Sequence, residues 1–338
     1  MRDKRSLHIR IGMLVGVLLL LLAACAAPAA PAAPAAPQAA SGESAPASAP
    51  AKITIKLAEN PWTGAQVNAA VAKQLLEEKL GYTVEIVSID ENAQWPALAN
   101  GDLSASLEVW PSGHADNIAQ YIDDQKVVEN AGELGVVGRI GWYQPSYVVA
   151  AHPELATWEG FKNPELAGLF STAETGDKGQ FLSGDPSWVQ YDESIVDGLG
   201  LELQVTYAGS EEAIVAALDS AYSREEPVLF YFWTPHSIFA KYDLTRVSLP
   251  DYSDECYAKA ASSGVDCDYP ADTLFKIVWA GLKDAAPDAY HLLTNLSYST
   301  DDQIAMIAAV EVDGKSIDEA AAEWIAANES VWQGWIGK

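Results

Sequence analysis

The chain is poor in positive charge, poor in sulfur and free of any long apolar span. Its 338 residues carry 20 Lys+Arg against 47 Asp+Glu, a formal net charge of -27. After the first ten residues no basic cluster interrupts the acidity, and binders of nucleic acid or anionic lipid build their affinity from Lys and Arg. DNA, RNA and anionic membrane surfaces are therefore poor candidate partners. Three cysteines in a chain of this length rule out a small disulfide-stapled scaffold. The longest apolar run, Ile11 to Ala24, has 14 residues, too few for a bilayer-spanning helix. Catalytic signatures are missing too: there is no G-x-S-x-G, H-E-x-x-H, G-x-x-x-x-G-K-[ST] or G-x-G-x-x-G. The histidines, His8, His114, His152, His236 and His291, have no metal-ligand spacing. Acidic pairs such as Glu211-Glu212 and Asp301-Asp302 sit near helix starts, where carboxylates complement the macrodipole. No enzymatic activity, metal or cofactor is expected.

What is present is apolar bulk and an excess of amphipathic aromatics. Hydrophobic residues make up 49 % of the chain, enough for one large or two medium domains with a real core. The 11 Trp and 14 Tyr outnumber the 7 Phe, although a core needing only bulk is better served by side chains without polar atoms.

The N-terminus reads as an export signal. Arg2, Lys4, Arg5 and Arg10 precede the apolar run, the pattern of a signal peptide over residues 1–24. The run ends in Leu22-Ala23-Ala24-Cys25, which resembles the lipobox of bacterial lipoproteins and implies a lipid anchor at Cys25 on the outer face of the cell membrane. Residues 25–51 are Ala/Pro/Ser-rich with Glu43 as the one charge, a semi-stiff tether with nothing to bury. Cys256 and Cys267 remain in an exported domain, separated by a segment that turns at Ser262-Ser263-Gly264, and are expected to form a disulfide.

The body reads as α/β. Residues 52–57 alternate as a strand, Ala65 to Leu80 places Val67, Val71 and Leu75 on one helical face, and Gly81 precedes a strand from Thr83 to Ile89: a βαβ unit. A helix over 93–100, a strand ending at Trp110 and a helix from His114 to Gln125 continue the alternation, predicting a mainly parallel sheet. Residues 135–149 look extended and suited to crossing between lobes. Trp158 to Phe170, Trp188 to Leu199, Glu211 to Ser223 and the strand Val228 to Trp233 build a second unit. The C-terminal third reads as helical, with a capping box at Ser316-x-x-Glu319. The expected architecture is two lobes flanking a ligand cleft, lobe 1 from 52–145 plus 241–338 and lobe 2 from 146–240.

In open α/β sheets ligands sit beyond the carboxyl ends of strands, where helix N-termini offer free N–H groups. Three tryptophans fall at such places. Trp110 ends a strand before Pro111-Ser112-Gly113-His114. Trp233 ends another before Thr234-Pro235-His236, read as an N-cap and a proline at the first helical position. Trp188, in Gly184-Asp185-Pro186-Ser187-Trp188, is placed in a first helical turn beside the N–H groups of Val189 and Gln190. An indole face attracts a cation by roughly 0.5–2 kcal/mol, and a quaternary ammonium gains most because it has no N–H to offer elsewhere. The amides beside Trp188 and the imidazole of His114 suit an attached carboxylate, so the set points to a betaine. Trp95, Trp158, Trp279, Trp324, Trp332 and Trp335 are read as packing residues, the last four in helical patterns.

These stretches, together with Trp62-Thr-Gly-Ala-Gln-Val and Leu75-Leu-Glu-Glu-Lys-Leu-Gly-Tyr82, resemble the glycine betaine/proline betaine substrate-binding proteins of ABC transporters, with a type II periplasmic-binding-protein fold. The resemblance covers essentially the whole domain after the tether. It implies a cage of Trp110, Trp188 and Trp233 around the ammonium, with His114 and the amides of Val189 and Gln190 on the carboxylate, and delivery of the solute to a membrane permease. Trp62 and Tyr143 are candidates for lining the cleft. The turn Pro-Ser-Gly after Trp110, where relatives often carry Thr-Pro, departs from the family pattern. A choline- or carnitine-type receptor is the alternative, and choline would require an anion such as Glu108, Asp116 or Asp192 aimed into the site. A surface scaffold lipoprotein gives no reason for the placed tryptophans.

Overall fold

The computed structural model describes residues 52–337 apart from Ala261 and Ser263. The expected signal peptide, lipidated Cys25 and tether lie outside the described residues. Among the described residues no helix is long and apolar enough to cross a membrane.

Nine strands form one sheet: β1 (Thr54–Glu59), β2 (Thr83–Ser88), β3 (Ala105–Val109), β4 (Val128–Pro145), β5 (Gly179–Ser183), β6 (Leu203–Tyr207), β7 (Phe230–Thr234), β8 (Leu244–Arg246) and β9 (Ala271–Trp279). The order is β2-β1-β3-β9-β4-β7-β5-β6, with β8 beside β4. Two parallel blocks, β2-β1-β3 and β7-β5-β6, answer to the two α/β units read in the sequence. They are joined by antiparallel strands: β9 pairs with β3 and β4, and β4 pairs in turn with β7 and β8. The 18-residue β4 thus runs through both blocks, starting seven residues before the stretch expected to be extended.

Alternation along the strands explains the layers. Ile55 and Leu57 of β1, Leu107 of β3 and Leu274 and Val278 of β9 point into one core, roofed by the helix Thr63–Glu78 and the C-terminal helices. Ala58, Phe275 and Ile277 point to the opposite face, against Trp95 and Leu98, and Val109 joins them because the β3–β9 register shifts between Ser106 and Val109. Burial on both faces is what a parallel strand requires. A separate core gathers Phe181, Leu203, Ile214, Leu218 and Phe230. Tyr242, Val247, Leu249, Val265 and Tyr269 belong to that second core, so core membership changes near residue 270 and not at the expected 240. The reason is β8, which pairs with the end of β4 and holds the chain on that side.

Strand β9 was not legible. Leu274, Phe275, Ile277 and Val278 are spaced as a helix would space them, and only burial on both faces resolves the ambiguity. Trp279, expected in a helix, ends this strand. Lys276 within it is fully buried, donating from Nζ to the carbonyls of Thr294 and Leu296, and burial pushes its pKa down to about 8. Trp324 and Trp332 are helical and buried as expected, and the Ser316/Glu319 capping box is formed.

Cys256 and Cys267 are joined, 11 residues apart in sequence. Closing a loop of that size stabilises by about 3 kcal/mol in the chain-entropy model. The Cys256→Ser/Cys267→Ser variant is expected to unfold at correspondingly lower denaturant; a midpoint equal to that of the oxidised wild type would refute a stabilising role.

Candidate functional site

Four tryptophans meet at one edge of the second core, which holds Trp62, Trp188 and Trp233 while Trp110 packs against both cores. Trp62, Trp110, Trp188 and Trp233 line one cavity together with Glu91, Ser112, Gly113, Ile140, Val189, Tyr191, Tyr231 and Tyr269. Its volume is about 40 Å³, several times the roughly 10–15 Å³ that one water needs. Trp188 is central, its ring centroid 5.4 Å from Trp233, 6.0 Å from Trp62 and 6.2 Å from Tyr231. The Trp62 and Trp233 rings stand nearly perpendicular to it, at 87° and 83°, so the indoles present faces in different directions.

Local sequence places each ring. Trp233 is the penultimate residue of β7, and Tyr231, two positions earlier, shares its face by strand periodicity. Beyond it the chain departs from expectation: Thr234-Pro235 is a cis peptide, and the following helix starts at Ile238, so Pro235 is not a first helical residue. Trp188 lies in a turn, not in a helical first turn, because the helix begins only at Asp192. Asp185 organises that turn: its carbonyl accepts the Trp188 N–H at 3.0 Å and its Oδ1 accepts the Ser187 N–H at 2.8 Å. Two glycines make room. A Cβ at Gly184 would sit 2.4 Å from the Trp188 ring, and one at Gly138 on β4 would sit 2.3 Å from the Trp110 ring. Any larger residue at either position would displace a cage indole.

Glu108 orients two of the rings from beneath. Its buried carboxylate accepts from Trp62 Nε1 at 2.7 Å, Trp110 Nε1 at 3.1 Å, Asn68 Nδ2 at 2.7 Å and Gln303 Nε2 at 2.8 Å. Burial raises its pKa and the four donors work against that rise. Glu108 is thus spent on positioning and does not line the cavity. Asp192 does not line it either: it accepts from Trp142 Nε1, Ser183 Oγ and Tyr269 Oη, with its pKa pushed up to about 6 by burial. Asp116 is exposed on a short helical turn. None of the three anions named from the sequence is the one that faces the cavity.

That anion is Glu91, in the turn after β2. Its Oε1 accepts the Val189 N–H and its Oε2 lies 3.1 Å from His114 Nε2. His114 is fully buried, contacts Asn117 Nδ2 through Nδ1 and packs 5.6 Å from the Trp95 ring; it reaches the cavity only through Glu91. Val189 lines the cavity, whereas Gln190 does not. The Gln190 side chain instead braces the turn before Trp188, bonding Asp185 O, Gly184 N and Ser183 Oγ. Tyr143 packs in the second core, 4.9 Å from Phe239, and does not line the cavity. Ser112, held by its N–H and hydroxyl to Asp272, and Tyr269, whose hydroxyl accepts the Tyr191 N–H, complete the wall. Tyr231 and Tyr269 are fully buried phenols, and burial pushes both far above the ordinary tyrosine pKa.

A second polar cluster joins the two sides of the cleft. Glu211 Oε2 accepts the N–H of Thr63, the first residue of the helix Thr63–Glu78, at 2.9 Å. His236 Nε2 lies 2.7 Å from Glu211 Oε1 and 3.0 Å from Glu311 Oε1, and Ser237 Oγ donates to Glu311 Oε2. Burial alone would lower the His236 pKa; the carboxylate bonds outweigh it and push it up to about 9. Because the folded pKa exceeds the unfolded value of about 6.5, this contribution is full below that value and is lost as pH rises through about 9. Wild type should therefore lose more stability than His236→Gln as pH rises from about 6.5 to about 10. Denaturant midpoints measured across that range give the comparison, and parallel curves for the two proteins would contradict the assignment.

The comparisons with known proteins agree with this geometry. A family model described as the substrate binding domain of ABC-type glycine betaine transport systems matches residues 53–327. The chain is 30 % identical over 294 residues to the trimethylamine N-oxide-binding protein of Pelagibacter ubique (strain HTCC1062), covering 84 % of this chain and 91 % of the relative. It is 24 % identical over 277 residues to the glycine betaine/proline betaine-binding periplasmic protein of Salmonella typhimurium, covering 77 % and 82 %. Among solved structures, lactococcal OpuAC in its closed-liganded conformation with glycine betaine superposes with a TM-score of 0.65 at 21 % identity, covering 84 % of this chain and 99 % of that one. A choline binding protein of an ABC transporter, in complex with choline, gives 0.65 at 21 % identity, covering 83 % and 91 %. The two-lobed type II periplasmic-binding-protein fold follows, and this chain belongs to the family of substrate-binding domains of ABC-type glycine betaine transport systems.

Proposed function

We propose that this protein captures a small trimethylated amine in the cage of Trp62, Trp110, Trp188 and Trp233 and delivers it to an ABC permease. The observation that carries the reading is the convergence of four indoles on one cavity, with Trp62 and Trp233 standing nearly perpendicular to Trp188. Indole faces attract an ammonium that cannot hydrogen-bond, and an enclosed site strengthens that attraction. The family is one of extracytoplasmic solute-binding proteins, in keeping with the export signal read in residues 1–24 and the disulfide. Anchoring through lipidated Cys25 on the 25–51 tether belongs to the same proposal.

Because Glu91 and Trp110 from one α/β unit and Trp188, Val189 and Trp233 from the other line the same cavity, a bound solute holds the two units together, and the closed form is the one presented to the permease. Lobe 1 carries Trp62, Trp110 and Glu91; lobe 2 carries Trp188, Val189 and Trp233, with the division near residues 139 and 270. A working affinity near micromolar corresponds to about -8 kcal/mol, within reach of several cation–π contacts plus apolar burial. Thermal denaturation with trimethylated amines and with matched non-methylated amines tests the class, since a ligand of the native state raises stability by RT ln(1 + [L]/Kd). A shift confined to the methylated compounds is expected, and none for any of them would end the proposal.

A further inference from the structure

Resting on that reading, we infer that Glu91 makes the cage selective for trimethylated amines that lack a carboxylate. A backbone N–H and an imidazole converging on one point make a carboxylate clamp, and here the clamp already holds a carboxylate of the protein. Glu91 is buried, with one oxygen on the Val189 N–H and the other on His114 Nε2. It is also the one carboxylate among the residues that line the cavity, the rest being aromatic, aliphatic, glycine or hydroxyl-bearing.

Two consequences follow for a ligand seated among the indoles. A carboxylate on the ligand would find both donors taken and would stand beside a like charge in a site screened from water, where repulsion between like charges costs most. A methylated ammonium without a carboxylate meets no such conflict, and its positive charge gains from Glu91 as well as from the ring faces. The Glu91 bridge spans the cleft, since Glu91 and His114 lie on one side and Val189 on the other. The protein's own carboxylate therefore occupies the place that a zwitterion's carboxylate would need.

Choline and glycine betaine provide the test, being nearly the same size and differing in a hydroxymethyl against a carboxylate; trimethylamine N-oxide adds a neutral ligand without a carboxylate. Calorimetry is run on the wild-type chain, on Glu91→Gln, which keeps the shape and removes the charge, and on Glu91→Ala, with folding of each verified by thermal denaturation. Choline, trimethylamine N-oxide or both should bind wild type about 30-fold or more tighter than glycine betaine. The Glu91 variants should narrow that ratio at least about tenfold, chiefly by improving betaine binding. Betaine binding to wild type as tightly as the other two, or Glu91 variants that change all three ligands alike, would overturn the selectivity while leaving the cage intact. Failure of all three ligands on folded wild type would instead overturn the trimethylated-amine reading itself.

Discussion

Trp233→Leu should weaken binding of the preferred trimethylated amine by about 100-fold, some 2–3 kcal/mol, while the protein remains folded. Leucine keeps an apolar group at the end of β7 and removes the ring face, so the loss reads the indole's contribution more directly than truncation to alanine does. One desolvated cation–π contact is worth about 2 kcal/mol, and the lost contact area around the methyl groups adds to it at about 25 cal/mol per Å². Trp233 is only 7 % exposed and stands 5.4 Å from Trp188, so its removal also loosens the neighbouring ring. Trp233→Ala should bind no better and should in addition lose about 3–5 kcal/mol of stability, as buried aromatic truncations do. Calorimetric titration of the leucine variant decides the matter: affinity within threefold of wild type would remove Trp233 from the cage.

Glu108→Ala should destabilise the protein by about 4 kcal/mol. It strands two indole N–H groups and two side-chain amides in a buried setting, and each unsatisfied donor costs about 1–3 kcal/mol before relaxation. The effect extends to binding, because Trp62 and Trp110 lose the acceptor that fixes their rings. Asp at this position retains the charge but shortens the reach, and should recover stability better than affinity. Denaturant unfolding followed with ligand titration separates the two; a Glu108→Ala protein with wild-type midpoint and affinity would show that the rings are held by packing alone.

The strand–helix alternation, both parallel blocks and three of the four tryptophans that line the cavity are readable because each follows from a local rule: period two, period 3.6, and the placement of ligands beyond strand ends. Trp62 obeys the same rule after β1 and is legible as a cleft-lining candidate. Glu91 obeyed it after β2 and was passed over, since a lone glutamate in an acidic chain carries no signal that separates it from a solvated one. Glu108 illustrates the opposite failure. Its carboxylate was identified as noteworthy, but its direction depends on Asn68 and Gln303, 40 and 195 residues away, and no local pattern encodes such a partnership. Strand β9 and the shift of residues 242–269 to the second core were hidden for a related reason: both depend on antiparallel pairing with the distant β4.

That long strand also bears on how the molecule moves. The chain passes between its two halves through neighbouring segments of one antiparallel ribbon, where Gly138 faces Asp272 and Arg139 faces Ala271. These few peptide units are where a reorientation of the halves would be absorbed. Trp110 rests on Gly138 and Asp272 holds Ser112, which puts the axle and the floor of the binding chamber in the same handful of residues. A change of angle between the halves would therefore act directly on residues that wall the cavity.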